Sequence, residues 1–208
     1  MRLSSLEAAE VGPEFLAAIG ECERVCPHFH LCLQSGSDDV LSRMKRRYRT
    51  GRFLEKLDQI GTEIRDPAFS TDVIVGFPGE TEENFRQTLA TCETAGFMKI
   101  HIFPYSPRRG TAAADFDGQI PAEVKKERCR RLAELDRQLA HRYHQKLLGK
   151  PLTALVEARP ASRPGWVRGT ACRYVPVEMP GSISDVGELI DVTAEISQDG
   201  AVSASRGS

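Results

Sequence analysis

Cys22, Cys26, His28, His30 and Cys32 place three thiols and two imidazoles within a short stretch. These are the side chains that hold zinc. Their spacing argues against one shared ion. The run Cys26-Pro27-His28-Phe29-His30-Leu31-Cys32-Leu33-Gln34 is rich in strand formers, and alternation along a strand turns Cys26, His28, His30 and Cys32 to one face. At ~3.3 Å per residue, Cys26 and Cys32 then lie about 20 Å apart, whereas zinc–ligand bonds are only about 2.0–2.3 Å. The group is read as interior side chains of a sheet, and no metal site is assigned. Cys22-x-x-x-Cys26 also begins the iron–sulfur pattern Cys-x-x-x-Cys-x-x-Cys, but Phe29 stands where the third thiol is needed.

Three other segments carry chemistry. Thr71-Asp72-Val73-Ile74-Val75-Gly76-Phe77-Pro78-Gly79-Glu80-Thr81 is an apolar strand followed by a Pro-Gly turn. Ligands of α/β folds bind at that carboxyl end; a plain strand–helix turn is the alternative. Arg43, Lys45, Arg46, Arg47, Arg49 and Arg52 crowd one segment. They suit either a solvated helix end or an anion, since guanidinium grips carboxylate and phosphate with a planar fork. Tyr105-Ser106-Pro107-Arg108-Arg109-Gly110-Thr111 follows a strand and falls at the same end of the sheet.

The elements that must position these residues follow from periodicity. A strand end is expected at Leu3–Leu6 and a helix over Val11–Cys22. Ser37 or Asp38 should cap a helix beginning at Asp39, and Thr50 a second with Phe53, Leu54, Leu57, Ile60 and Ile64 inward. Phe69–Phe77 reads as a parallel strand covered on both faces. Thr81 should cap the next helix and Gly96 stop it. Met98–Phe103 is a further strand. A long charged helix runs from Pro121 to Gly149 with Leu132, Leu135, Leu139, Tyr143 and Leu147 as its stripe. Beyond Pro151, short β segments at Leu152–Val156, Tyr174–Val177 and Leu189–Val192 predict a small barrel. The fold class is therefore α/β followed by an all-β module, with a boundary near Gly149 dividing 1–149 from 150–208.

Bulk properties fit a globular chain of 208 residues with 27% charged residues and a net charge of −1. No apolar run is long enough to span a bilayer, and Met1–Ser5 carries no signal core. A cytoplasmic protein with free thiols and no membrane association is expected.

Taken in order, His28–Asp38, Met44–Tyr48, Asp72–Thr81 and Tyr105–Thr111 resemble the radical S-adenosylmethionine (SAM) tRNA methylthiotransferases. Arg2–Glu7 and the His28/His30 pair are most similar to the branch acting on threonylcarbamoyladenosine beside the anticodon. The resemblance covers essentially the whole chain. It implies the last part of an incomplete (βα) radical SAM partial TIM barrel, with strands ending near residues 6, 34, 77 and 104. A TRAM barrel that binds RNA follows from about Lys150. In the family, SAM and 4Fe–4S clusters replace the C2 hydrogen of the adenine with a methylthio group; the cofactor supplies that step. Carried over by position, Ser5, Glu7, Gln34, Ser35, Arg46, Val75, Gly76, Pro78 and Tyr105 would face SAM. Arg46 would meet its carboxylate, Val75, Gly76 and Pro78 its adenine, and Ser5 and Glu7 its ribose. Arg47, Arg49, Arg108 and Arg109 would face tRNA.

Two departures stand beside the resemblance. A site-differentiated cluster needs three thiolates, and these cysteines form no such set, so no catalytic residue is assigned and the chain alone is expected to be inactive. Residues 151–208 hold five Arg and no Lys against seven acidic residues, a net charge of −2. An RNA path is expected instead over the Arg43–Arg52 segment and the helix from Pro121. The readings are an enzyme segment that works with a missing N-terminal portion, a non-catalytic RNA-binding remnant, or an enzyme of other chemistry using the Cys/His strand; within the family, the sister activities on isopentenyladenosine or a ribosomal protein stay open. Poor solubility is expected from an unpaired edge near Leu3–Leu6.

Overall fold

The structure, a computed structural model, describes residues 1–3, 5–198 and 200–207. Helix α1 (Pro13–Gly20) begins with proline at its first turn, where the missing N–H costs nothing. Strand β1 (His28–His30), helices α2 (Asp38–Arg43) and α3 (Thr50–Glu63), strand β2 (Ala68–Val75), helix α4 (Glu82–Ala95) and strand β3 (Lys99–Pro104) follow. The three strands form a parallel sheet in the order β1-β2-β3. Helix α5 (Ala122–Leu147) packs along β3.

Alternation sorts the sheet into two faces. Phe29, Leu31, Leu33, Val73, Val75 and Ile100 join Phe53, Leu57, Ile60, Phe85 and Leu132 in one buried core beneath the helices. The other face carries His28, His30, Cys32, Ser70, Asp72, Ile74 and His101. On that face of β2 Ala68 and Ser70 are fully buried, while Asp72 and Ile74 are half-buried. The expectation of cover on both faces does not hold for these two residues.

The long strand expected over Cys26–Gln34 is interrupted. The register runs His30 to Ser70, then resumes at Gln34 opposite Val73, so β1 carries one extra residue. The Thr71 hydroxyl fills the gap, donating to Leu31 O at 2.6 Å and accepting the Leu33 N–H at 2.9 Å. Of the strand end expected over Leu3–Leu6, the described residues show one bridge, Leu6 beside Leu31.

Thr81 caps α4 as expected, its hydroxyl accepting the Asn84 N–H, and Gly96 closes the helix in the left-handed conformation. Thr50 is a correction. Arg49 holds the cap position of α3, and the Asp38 carboxylate, twelve residues back, accepts the Thr50 N–H at 2.8 Å.

Strands β4 (Pro151–Pro160), β5 (Trp166–Ala171), β6 (Pro176–Pro180), β7 (Leu189–Gln198) and β8 (Ala201–Arg206) close a barrel in the order β4-β5-β6-β8-β7. Its core of Leu152, Ala154, Val177, Met179, Val192 and Val202 also takes in Ala68 and Met98. The barrel thus packs against the amino ends of β2 and β3 and leaves their carboxyl ends clear of it. Gly149 lies between α5 and β4. Among the described residues no helix is long and apolar enough to cross a membrane.

Candidate functional site

The ladder aligns the carboxyl ends of the strands. Gln34 bridges Val73, Val75 pairs with Pro104, and the Tyr105 N–H donates to Val75 O at 2.8 Å. Around the end of β1 the fold gathers Ser5, Glu7, Gln34 and Arg46. Arg46 Nη1 lies 3.8 Å from the Glu7 carboxylate, and the bridge between Leu6 and Leu31 brings Ser5 beside the same strand. Gln34 takes a left-handed backbone, φ 62°, uncommon without glycine. The Tyr48 hydroxyl donates to Cys32 O at 2.8 Å and Leu33 O at 3.0 Å, pinning the arginine segment to this end. Burial pushes the Tyr48 phenol up to about 12, so it stays a donor.

The turn after β2 is built on a buried acid. The Gly76 N–H donates to Glu80 at 2.8 Å, and Arg128 from α5 donates to the same carboxylate at 2.7 Å. Gly76 has φ 76°, and a Cβ there would sit 2.3 Å from Lys125 Cγ, so only glycine lets α5 pack so close. Val75, Gly76 and Pro78 are all buried. Tyr105 packs edge-on against Phe77 at 5.3 Å between ring centroids, and its hydroxyl has no hydrogen-bond partner among the described residues. Ser35 sits apart from this mouth. It is fully buried, and its hydroxyl faces Thr88 and accepts the Ser37 N–H.

Arg47, Arg49, Arg108 and Arg109 are exposed, and none has an acidic side chain within 4.0 Å among the described residues. The long helix differs. Arg130, Arg131, Arg137 and Arg142 of α5 pair with Glu127, Glu82, Glu134 and Glu93. Much of its positive charge is therefore neutralised locally. Lys125, Lys126 and Lys146 of the same helix have no acidic side chain within 4.0 Å among the described residues, so α5 keeps basic groups on its surface.

A polar cluster lies deeper on the open face of the sheet. His30 Nε2 is 3.4 Å from Asp72, Cys32 Sγ is 3.6 Å from Asp72, and the His30 and His101 rings are 5.5 Å apart. One hydroxyl, Ser70, bonds both His28 Nε2 at 2.9 Å and His30 Nδ1 at 3.0 Å. Burial, helped by Arg2, holds His28 down to about 4, and burial also lowers His101. Burial and then the Asp72 carboxylate push the Cys32 thiol up. Reading one strand at a time could not assemble this cluster, because its members come from β1, β2 and β3.

Residues 3–92 match the family described as the Radical SAM superfamily. The threonylcarbamoyladenosine tRNA methylthiotransferase MtaB of Thermotoga maritima is 38% identical over 204 residues, which are 98% of this chain and 46% of that protein. The tRNA-2-methylthio-N(6)-dimethylallyladenosine synthase of Corynebacterium efficiens is 43% identical over 158 residues, 76% of this chain and 30% of the relative. That of Clavibacter sepedonicus is 42% identical over 199 residues, 92% of this chain and 38% of the relative. The chain belongs to the radical SAM tRNA methylthiotransferase family. It spans less than half the length of each of these three relatives.

Members of this family use SAM and iron–sulfur clusters, and the two groups fit this chain differently. For SAM the donor types are in place: the Arg46 guanidinium beside Glu7, Gln34 with its unusual backbone, and the unpartnered Tyr105 hydroxyl. For a cluster they are not. All six cysteines are free thiols, and the one group of three or more His, Cys, Asp or Glu ligand atoms that converges among the described residues is His30, Asp72 and His101.

Proposed function

We propose that this chain is the cofactor-facing and tRNA-facing portion of a methylthiotransferase acting on threonylcarbamoyladenosine beside the anticodon. The alignment of 204 residues with the Thermotoga maritima relative of that name carries the reading, because it runs through the parallel sheet and the β-barrel alike. Bound SAM would supply a carbon radical that removes the C2 hydrogen of the adenine. The residues of this chain hold and orient. Arg46 takes the SAM carboxylate, Ser5, Glu7 and Gln34 its polar groups, and the backbone of Val75, Gly76 and Pro78 the adenine. Ser35 shapes the strand end from behind. Tyr105 closes the mouth against Phe77.

Arg47, Arg49, Arg108 and Arg109 meet the tRNA backbone, where phosphate contacts dominate affinity. The barrel β4–β8 serves as the TRAM domain. The cluster thiolates come from a portion of the enzyme outside these 208 residues, and the work is cytoplasmic. A second reading, action on dimethylallyladenosine, is favoured by the higher identity over the 158 residues shared with the Corynebacterium protein.

A chimera tests this. Residues 1–208 replace the matching segment of the Thermotoga maritima relative, and nucleosides of tRNA from a strain lacking its own enzymes are weighed by mass spectrometry. A methylthio adduct on threonylcarbamoyladenosine is expected, lost in Arg46→Ala. An adduct on dimethylallyladenosine alone would favour the second reading, and no adduct on either would overturn both.

A further inference from the structure

We propose that His30, Asp72 and His101 form a binding site for a divalent transition-metal ion of the zinc class, distinct from any iron–sulfur or SAM site. The three ligand atoms all lie within 4.8 Å of one another. Two ligands on a tetrahedral zinc ion are ~3.3 Å apart, given bonds of about 2.0–2.1 Å. His30 Nε2 and Asp72 Oδ1 stand 3.4 Å apart, so this pair needs almost no movement to share an ion. Asp72 and His101 are direct partners in the β2–β3 ladder, which holds their side chains on one face.

Three features support a metal over a simple hydrogen-bond network. The Ser70 hydroxyl engages His30 Nδ1 and leaves Nε2 turned to the cluster, the outer-shell arrangement that orients metal-binding imidazoles. The Asp72 carboxylate has no Lys or Arg within 4.0 Å among the described residues; its basic neighbour there is His30. Two imidazoles and one carboxylate leave a fourth position, beside which the Cys32 thiol sits, 3.7 Å from His30 Nε2 and 3.6 Å from Asp72. His101 also lines a crevice between α5 and the β-barrel, with Lys99, Asp136, His141 and Tyr174. The ligand set mixes nitrogen and oxygen donors, which suits zinc, cobalt or nickel more than calcium or magnesium.

The test uses the full chain, stripped with chelator and dialysed against zinc. One equivalent of retained zinc is expected by elemental analysis. Asp72→Asn and His101→Ala should lose it, Ser70→Ala should weaken it roughly 10–100-fold, and the Cys22→Ser/Cys26→Ser double variant should keep it. No retained zinc, or retention by both ligand variants, or loss from the Cys22/Cys26 variant would overturn the site. Zinc-edge X-ray absorption on the unaltered chain does not depend on any variant folding. A nitrogen and oxygen shell with imidazole scattering is expected, and a shell dominated by sulfur would overturn the assignment.

Discussion

Arg128 Nη1 donates to the Glu80 carboxylate at 2.7 Å, and the two side chains are 6% and 1% exposed. This pair ties α5 to the turn that follows β2. Glu80 also accepts the Gly76 N–H, so a single carboxylate fixes the turn after β2 and ties it to α5. Burial still pushes the Glu80 carboxyl up, against the pull of Gly76 and Arg128. A buried pair of this kind is worth little over an apolar pair, but breaking it strands a charge. Arg128→Met is expected to lower stability by about 3–5 kcal/mol, measured by urea unfolding. A loss below about 1 kcal/mol would mean that the pair is not dry in solution.

Gly36 follows the end of β1, where the chain passes under α4. A Cβ there would lie 2.6 Å from the Thr88 backbone and 2.7 Å from Thr91 Cβ. Backbone cannot retreat as a flexible side chain would. Gly36→Ala should cost about 1–3 kcal/mol, against an unchanged midpoint for Gly51→Ala scaled for helix propensity, since nothing lies within 4 Å there.

Stability should fall with acid. Burial and the nearby His141 lower His144 in the folded chain, so its neutral form is the native one. The unfolded chain takes up a proton near pH 6.5 and the folded chain only at lower pH. Its contribution is present in full above the unfolded value and is lost as pH falls through the folded one. The urea midpoint should therefore drop below about pH 6.5, and the drop should be shallower in His144→Gln. It should not vanish, because His28 and His101 are shifted the same way. An identical slope in the variant would remove His144 from the account.

Among the described residues Arg47 and Arg49 have no acidic partner, whereas Arg130, Arg131, Arg137 and Arg142 of α5 do. In the chimera, Arg47→Glu with Arg49→Glu should weaken tRNA binding and flatten its dependence on salt, by roughly one unit of log–log slope for each phosphate no longer neutralised. Arg137→Glu, facing Glu134, should change the slope far less. Equal effects would return the RNA path to the long helix.

Much of this architecture was legible because it obeys local rules. Thr81, Gly96 and the stripe of α5 mark helix ends and faces by chemistry that acts within a few residues. The bulge in β1 was not legible, because it depends on the Thr71 hydroxyl reaching across from another strand. Strands β5 and β8 were missed: Gly169 and the small residues of Ala201–Arg206 are poor strand formers, held in place by closure of the barrel. The site divided the same way. The arginine cluster and the Pro-Gly turn stood out as runs, whereas His30, Asp72 and His101 converge only once three strands pair. On α5 the pairs Arg130–Glu127 and Arg137–Glu134 lie one turn apart in the sequence, whereas Arg131 and Arg142 find Glu82 and Glu93 only once α4 packs alongside.

The proposed role gives this chain SAM and tRNA contacts but no cluster ligands. Iron and acid-labile sulfide analysis after anaerobic reconstitution tests it most directly, because sulfide separates a cluster from iron held by histidines. The chain of 208 residues is expected to retain no sulfide, while the chimera carrying the upstream thiolates retains both elements. Stoichiometric iron and sulfide on the chain alone, with SAM cleavage on reduction, would contradict it.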